Sequence, residues 1–427
     1  MAEPLKVLVV DDTITYRMIV TRVAESIPGV DVAASAPNGK LALAKLETTA
    51  IDLVLLDIEM PVMDGLTTLK ELSAKHPQIA VVMVSGVSRT NANIVVECLN
   101  SGALDFVTKP LEENAERAKS SLKKALEPIL SELIAKRNIS GASRKTVPPR
   151  TAPAPGREAA STSSMAVPLA NGKRPLPRAQ RLSVTDLRKG ATARQPQTRH
   201  TPPVTARAPI PARPSTPVPT RPAPRAATSP VGGGPKKPNL ILIGSSTGGP
   251  AALTQVLSGL GGPLSIPILI VQHMPPIFTA SLAAQLSRSS GLTVQESQEN
   301  MTVKPGDVVL AMGGKHMTLA KQGSNFIVKL NEGPKVNECR PAVDVLFMSA
   351  ATIDSGNVLS VILTGMGRDG ANGVDALKRR GNCYSITQDM NSCVVYGMPR
   401  TVEEKGLSDE VLPVDQIGPR IAEICKR

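Results

Sequence analysis

The stretch LILIGSSTGG (Leu240 to Gly249) reads as a buried strand that breaks into a glycine-rich turn and opens a helix. Consecutive aliphatic residues without polar alternation fit a strand covered on both faces, as in a parallel sheet. Its turn, Gly244-Ser245-Ser246-Thr247-Gly248, satisfies G-x-S-x-G. A serine on a sharp strand-to-helix turn stands exposed beside free backbone N–H groups, and such donors can hold a developing oxyanion. The same loop could cradle a phosphate, although it misses G-x-G-x-x-G and carries no P-loop lysine. Alone, it leaves a hydrolase and a phosphate binder open.

The neighbouring runs decide between them. PILIVQH (Pro267 to His273) and LSVILTG (Leu359 to Gly365) read as further parallel strands. His273, one of only four histidines, ends the first, where a parallel crossover would bring it near Ser246. Asp369 lies in the glycine-flanked loop LTGMGRDG after the second and could hold the imidazole tautomer. A hydroxyl, an imidazole and a carboxylate, each just past a strand end, are the parts of a nucleophilic hydrolase site. Their order, Ser, His, Asp, differs from the Ser, Asp, His of α/β-hydrolases. His316 is a rival base, ranked second because it falls in VKPGDVVLAMGGKHMTL (Val303 to Leu319). The Pro-Gly and Gly-Gly punctuation there predicts a β-hairpin. The region therefore reads as a doubly wound parallel α/β sheet with an antiparallel hairpin extension.

The first part of the chain shows its own β/α alternation: KVLVV, DLVLLD (Asp52 to Asp57), AVVMVS (Ala80 to Ser85) and DFVTKP (Asp105 to Pro110), with helical patterns between. A parallel five-stranded sheet with helices on both faces follows. Asp11 and Asp12 follow KVLVV, Asp57 ends DLVLLD, Ser85 ends AVVMVS and Lys109 closes the apolar part of DFVTKP. Ligands collect at the carboxyl ends of such strands. Three carboxylates there repel unless a cation joins them, and oxygen ligands with open water positions suit Mg²⁺. A carboxylate can also accept a phosphoryl group as a nucleophile.

Charge and composition divide the chain. The net charge is +13, but residues 138–235 alone carry a net +14, together with 19 of the 38 prolines and no aromatic residue. Such a segment cannot bury enough apolar surface to offset its conformational entropy. The expected organisation is 1–137 folded, 138–235 a Pro/Arg-rich disordered linker, and 236–427 folded. The folded parts are nearly neutral and offer no helix-turn-helix or aromatic stacking platform, so nucleic acid is not an expected partner. No apolar run approaches the ~18–20 residues of a membrane span, and the start lacks a signal-peptide pattern. A cytoplasmic protein without membrane insertion is expected. Five scattered cysteines without a C-x-x-C read as reduced, mostly buried thiols.

Two resemblances sharpen these expectations. VLVVDD, LLDIEMPVMDG and DFVTKP resemble the receiver domain of two-component response regulators, a flavodoxin-like fold. The resemblance implies Asp57 as phosphoacceptor, Asp11 and Asp12 as Mg²⁺ ligands with it, Lys109 as a phosphoryl contact, and Ser85 and Phe106 as a switch pair. It also implies a cis peptide before Pro110. IGSSTGGP, VQHMPPIFT, PGDVVLAMGGKHM, NECRPAVDVLF, ILTGMGRDG and SCVVYGMPR, in this order, are similar to the catalytic domain of bacterial chemotaxis methylesterases. That resemblance implies Ser246 as nucleophile, His273 as general base, Asp369 as its orienting acid and the Met366 backbone N–H as oxyanion donor, with no cofactor at the esterase site. It further implies hydrolysis of glutamate γ-methyl esters on methyl-accepting chemotaxis receptors with release of methanol, glutamine deamidation by the same chemistry, and a chemotaxis histidine kinase as phosphodonor. In that family the unphosphorylated receiver covers the catalytic face, and Ser245 stands where Ala is frequent.

Overall fold

The computed structural model describes residues 3–86, 88–110, 115–144 and 235–426. Apart from its two ends, the expected linker lies outside the described residues.

The first sheet contains β1 (Leu5–Val10), β2 (Val30–Ala36), β3 (Leu53–Asp57), β4 (Ala80–Ser85) and β5 (Asp105–Thr108), all parallel in the order β2-β1-β3-β4-β5. Every residue of β3 is buried, as a continuous apolar run requires when helices cover both faces. Leu8, Val10, Leu56 and Met83 line one face, and Val7, Val9, Leu55 and Val82 the other. The covering helices are α1 (Ile14–Glu25), α2 (Gly39–Leu46), α3 (Gly65–Lys75), α4 (Arg89–Asn100) and α5 (Ala115–Arg144). Asn38, Asp64 and Ser88 cap α2, α3 and α4 by accepting a main-chain N–H three residues on. Helix α5 runs past the expected domain boundary at 137 to Arg144, burying Leu122, Leu126, Ile129 and Leu130 at helical spacing.

The second sheet has seven parallel strands: β6 (Leu240–Ser245), β7 (Ile268–Gln272), β8 (Val294–Glu296), β10 (Val308–Leu310), β13 (Val358–Ile362), β14 (Cys383–Gln388) and β15 (Glu410–Leu412). Their order is β15-β14-β13-β6-β7-β10-β8. The chain leaves β6 toward β7 and later returns to its other side as β13, so a topological switch point lies at the carboxyl end of β6. The helices are α6 (Gly249–Ser258), α7 (Pro276–Ser290), α8 (Val343–Thr352), α9 (Ala371–Arg379), α10 (Met398–Glu404) and α11 (Val414–Lys426). A small antiparallel sheet adds β9 (Thr302–Val303), β11 (His316–Gln322) and β12 (Asn325–Asn331) in the order β11-β12-β9.

The antiparallel extension exists, but its hairpin is displaced from the expected 303–319. Val308–Leu310 is wholly buried and joins the parallel sheet between β7 and β8. The hairpin is β11–β12, turning at Gly323, whose φ of +61° suits glycine. Three consecutive buried aliphatics belong in a covered strand, whereas HMTLAKQ and NFIVKLN leave part of each strand to solvent. The Lys109–Pro110 peptide also departs from expectation. Among the described residues the cis bond is Arg340–Pro341, so Lys109 reaches its partners from a trans peptide. No described helix is long and apolar enough to cross a membrane.

Candidate functional site

Ser246 follows β6 and Gly248 caps α6 in the left-handed region, φ +75°. A Cβ at Gly248 would lie 2.5 Å from Val394 Cβ, so both backbone and space require glycine there. The Ser246 N–H donates to Thr364 O (3.0 Å). The N–H groups of Thr247, Gly248 and Met366 make no hydrogen bond among the described residues, nor does the Ser246 hydroxyl. The turn thus offers a free hydroxyl beside free amides, the arrangement its sequence suggested.

His273 leaves β7 with its N–H on Ser245 O (3.1 Å). Its Nε2 lies 2.7 Å from Asp369 Oδ2. Asp369 is 2% exposed and fully engaged. Oδ2 accepts the Val343 N–H (2.6 Å), and Oδ1 accepts the Asp344 N–H (3.1 Å) and the Asn337 amide (2.8 Å). These two main-chain donors open α8, so the carboxylate occupies a helix N-terminus. Asp344 returns the arrangement. Its own buried carboxylate accepts the Gly370 and Gly373 N–H groups at the start of α9 (3.0 and 2.7 Å). Asp369 therefore caps the helix that carries Asp344, Asp344 caps the helix that follows Asp369, and Asn337 donates to both.

The charges follow from these contacts. Burial pushes the Asp369 carboxyl up, but the His273 imidazole and the α8 amides outweigh it and hold the group below its ordinary value. Burial pulls the His273 imidazole down, while Asp369 and the adjacent Cys339 thiol raise it; the balance is pushed up to about 9. A cavity of about 430 Å³ opens beside this ring, lined also by Met274, Pro275, Glu338 and Cys339. His316 lies elsewhere: it is 2% exposed and its Nε2 meets Pro334 O (2.9 Å), a structural contact in β11.

The expected residues of the first sheet also converge. Ligand oxygens of Asp11, Asp12 and Asp57 lie within 4.8 Å of one another. Lys109 Nζ sits 2.6 Å from Asp57 and 2.7 Å from Asp11. Burial raises the Asp57 carboxyl to about 6 against the lowering effect of Lys109. Ser85, fully buried at the end of β4, donates to Gly86 O (3.0 Å). Phe106 meets Phe278 of α7, ring centroids 4.6 Å apart and tilted by 56°.

The two centres touch through β5. Asp105 Oδ2 accepts the Thr247 hydroxyl (2.6 Å), one residue from Ser246. Asn100 Oδ1 accepts the Thr254 hydroxyl of α6 (3.0 Å). Lys136 of α5 donates to Cys393 O (2.8 Å), and Lys124 pairs with Glu338 at the cavity mouth (3.5 Å). Sequence reasoning missed Asp105, Asn337 and Asp344. Of these, Asp344 carried a usable signal, an acid in the first turn of a helix.

A family model described as CheB methylesterase matches residues 241–421, and one described as response regulator receiver domain matches residues 7–120. Fold and site thus define a receiver joined in one chain to a methylesterase-type domain. A protein-glutamate methylesterase/protein-glutamine glutaminase of group 2 operon from Rhodopseudomonas palustris is 38% identical over 423 residues, covering 99% of this chain and 94% of the relative. A protein-glutamate methylesterase/protein-glutamine glutaminase from Desulfotalea psychrophila is 36% identical over 424 residues, covering 99% of both. The crystal structure of the Thermotoga maritima CheB methylesterase catalytic domain is 42% identical, with a TM-score of 0.43, over 44% of this chain and 99% of that one. The chain belongs to the protein-glutamate methylesterase/protein-glutamine glutaminase family.

Proposed function

We propose that this chain is a phosphorylation-activated protein-glutamate methylesterase, with residues 1–137 as receiver, 138–235 as linker and 236–427 as catalytic domain. The observation that carries the esterase reading is the His273–Asp369 pair at 2.7 Å beside the free Ser246 turn. Ser246 Oγ attacks the γ-carbonyl of a glutamate methyl ester on a methyl-accepting chemotaxis receptor, and His273 takes its proton. Because Nε2 faces Asp369, Nδ1 is the nitrogen left for that transfer. Met366 N–H, with Thr247 N–H, stabilises the tetrahedral oxyanion. The proton passes to the departing methoxide, giving methanol; water then attacks the acyl-serine, with His273 again as base. A glutamine amide follows the same course and releases ammonia.

In the receiver, Asp57 accepts the phosphoryl group from a chemotaxis histidine kinase. The donor set of Asp11, Asp12 and Asp57, all carboxylate oxygens within 4.8 Å, fits a hard divalent cation such as Mg²⁺. When bound, that ion would neutralise the charge of the incoming phosphoryl oxygens. Lys109 contacts the phosphoryl group, and Ser85 and Phe106 form the switch. Phosphorylation withdraws Phe106 and Asp105 from α7 and Thr247 and frees the Ser246 turn. The setting is the cytoplasm. Replacing Ser246 with Ala abolishes methanol release from methylated receptors while leaving Asp57 phosphorylation intact; retained turnover would remove Ser246 from the mechanism.

A further inference from the structure

Resting on the esterase reading, we infer that a belt of buried polar side chains across four strand ends positions the Ser246 turn, with Gln272 and Thr364 as its two braces. Gln272 ends β7 and is the cross-strand partner of Ser245 at the end of β6. Its Oε1 accepts the Ser245 hydroxyl (2.6 Å). Its Nε2 donates to Ser246 O (2.9 Å) and to His273 O (3.3 Å). One amide thus joins the main chain of the nucleophile to that of the base. The space for it is reserved: a Cβ on Gly249 would lie 2.0 Å from Gln272 Oε1.

Thr364 does the same on the other side. It follows β13, accepts the Val395 N–H (3.0 Å) and donates its hydroxyl to Thr247 O (2.9 Å). Its own N–H meets Gln388 Oε1 at the end of β14 (2.8 Å). Gln272, Ser245, Thr364 and Gln388 are each no more than 2% exposed. Buried amides and hydroxyls are tolerated only when paired, and an apolar residue would fill these positions at lower desolvation cost. Gln272 and Thr364 reach the Ser246 and Thr247 carbonyls directly, while Ser245 braces Gln272 and Gln388 braces Thr364. The Ser246 side chain has no hydrogen bond of its own among the described residues, so its direction depends on that main chain.

The test uses the full-length protein, Gln272→Met and Thr364→Val, which keep approximate volume and remove the bonds. A fluorophosphonate titrates Ser246, giving both a labelling rate constant and an endpoint per chain. Methanol release gives kcat and KM. A displacement near 1 Å can reduce rate by about 100-fold. The expectation is a fall of about 10- to 100-fold in kcat and in the labelling rate constant, with KM within about threefold and the endpoint still one label per chain. A merely structural role would instead lower the endpoint and leave the rate of each titrated serine at the wild-type value, which overturns the inference. If neither variant is soluble, Ser245→Ala decides: labelling about threefold slower supports the belt, and a wild-type rate overturns it. Wild-type protein that is not labelled at Ser246 would instead refute the esterase reading itself.

Discussion

Replacing Asp105 with Asn isolates the electrostatic part of receiver docking. Burial raises this carboxyl from 3.8 to about 6, against the lowering effects of the Thr247 hydroxyl and the Phe106 N–H. Undocked, the carboxylate faces water and titrates normally. The docked state therefore prefers the protonated acid, and docking takes up a proton between about pH 4 and 6. Above pH 6 the docked state carries a penalty of about two pKa units, roughly 3 kcal/mol. The side chain keeps partial solvent exposure, so about 1–3 kcal/mol is the working range. Asparagine retains an oxygen that can accept the Thr247 hydroxyl but has no charge to desolvate. The variant should dock about 5- to 150-fold more tightly at pH 7.5. Basal methanol release by unphosphorylated protein should fall accordingly, and the difference between variant and wild type should shrink as pH drops through 6. Saturating phosphodonor should restore comparable rates. Equal or higher basal activity in Asp105→Asn at pH 7.5, or a variant-to-wild-type ratio flat with pH, would refute the reasoning.

Other consequences can be measured directly. With the His273 imidazole pushed up to about 9, a base that must be neutral is mostly protonated at pH 7, so kcat/KM of the unphosphorylated enzyme should rise from pH 7 toward 9; a plateau already reached at pH 7 contradicts this. The same raised value, with the lowered Asp369 carboxyl, means that the His273–Asp369 pair stabilises the fold fully between about pH 4 and 6.5 and loses that contribution as pH rises through 9. The excess thermal stability of wild type over Asp369→Asn should follow this window. Shortening the segment 138–235 about sixfold should raise the effective concentration of the receiver about 15-fold and lower basal esterase activity. Unchanged basal activity in that deletion would show that tether length does not set docking.

Much of this molecule was legible from local patterns. LVLLD and LILIG are apolar without alternation, and both became central parallel strands. His273 meets Asp369, and Asp12 joins Asp11 and Asp57, because a parallel sheet delivers every carboxyl end to one edge. Asp11, Asp57 and Lys109, scattered over about 100 positions, meet for that reason. The exchange of caps between Asp344 and Asp369 was not legible, since it depends on α8 and α9 crossing at a close distance. Gly373 permits that approach: a Cβ there would lie 2.5 Å from Phe347 Cβ. Asp105 was hidden differently. In sequence it is an acid at the start of a strand, and only the opposing Thr247 gives it meaning. The hairpin was misplaced because punctuation by glycine and proline marks where strands end but not which partner they choose.

Strand β5 is four residues long, and its two ends belong to different machines. Asp105 and Phe106 hold the esterase-type domain, while Lys109, the next residue after the strand, grips Asp57. The message therefore has only the length of one short lever to travel, and it crosses through space rather than along the polypeptide. The length of the connecting segment then sets how often the receiver reaches its post, while the contacts that carry the signal stay with β5.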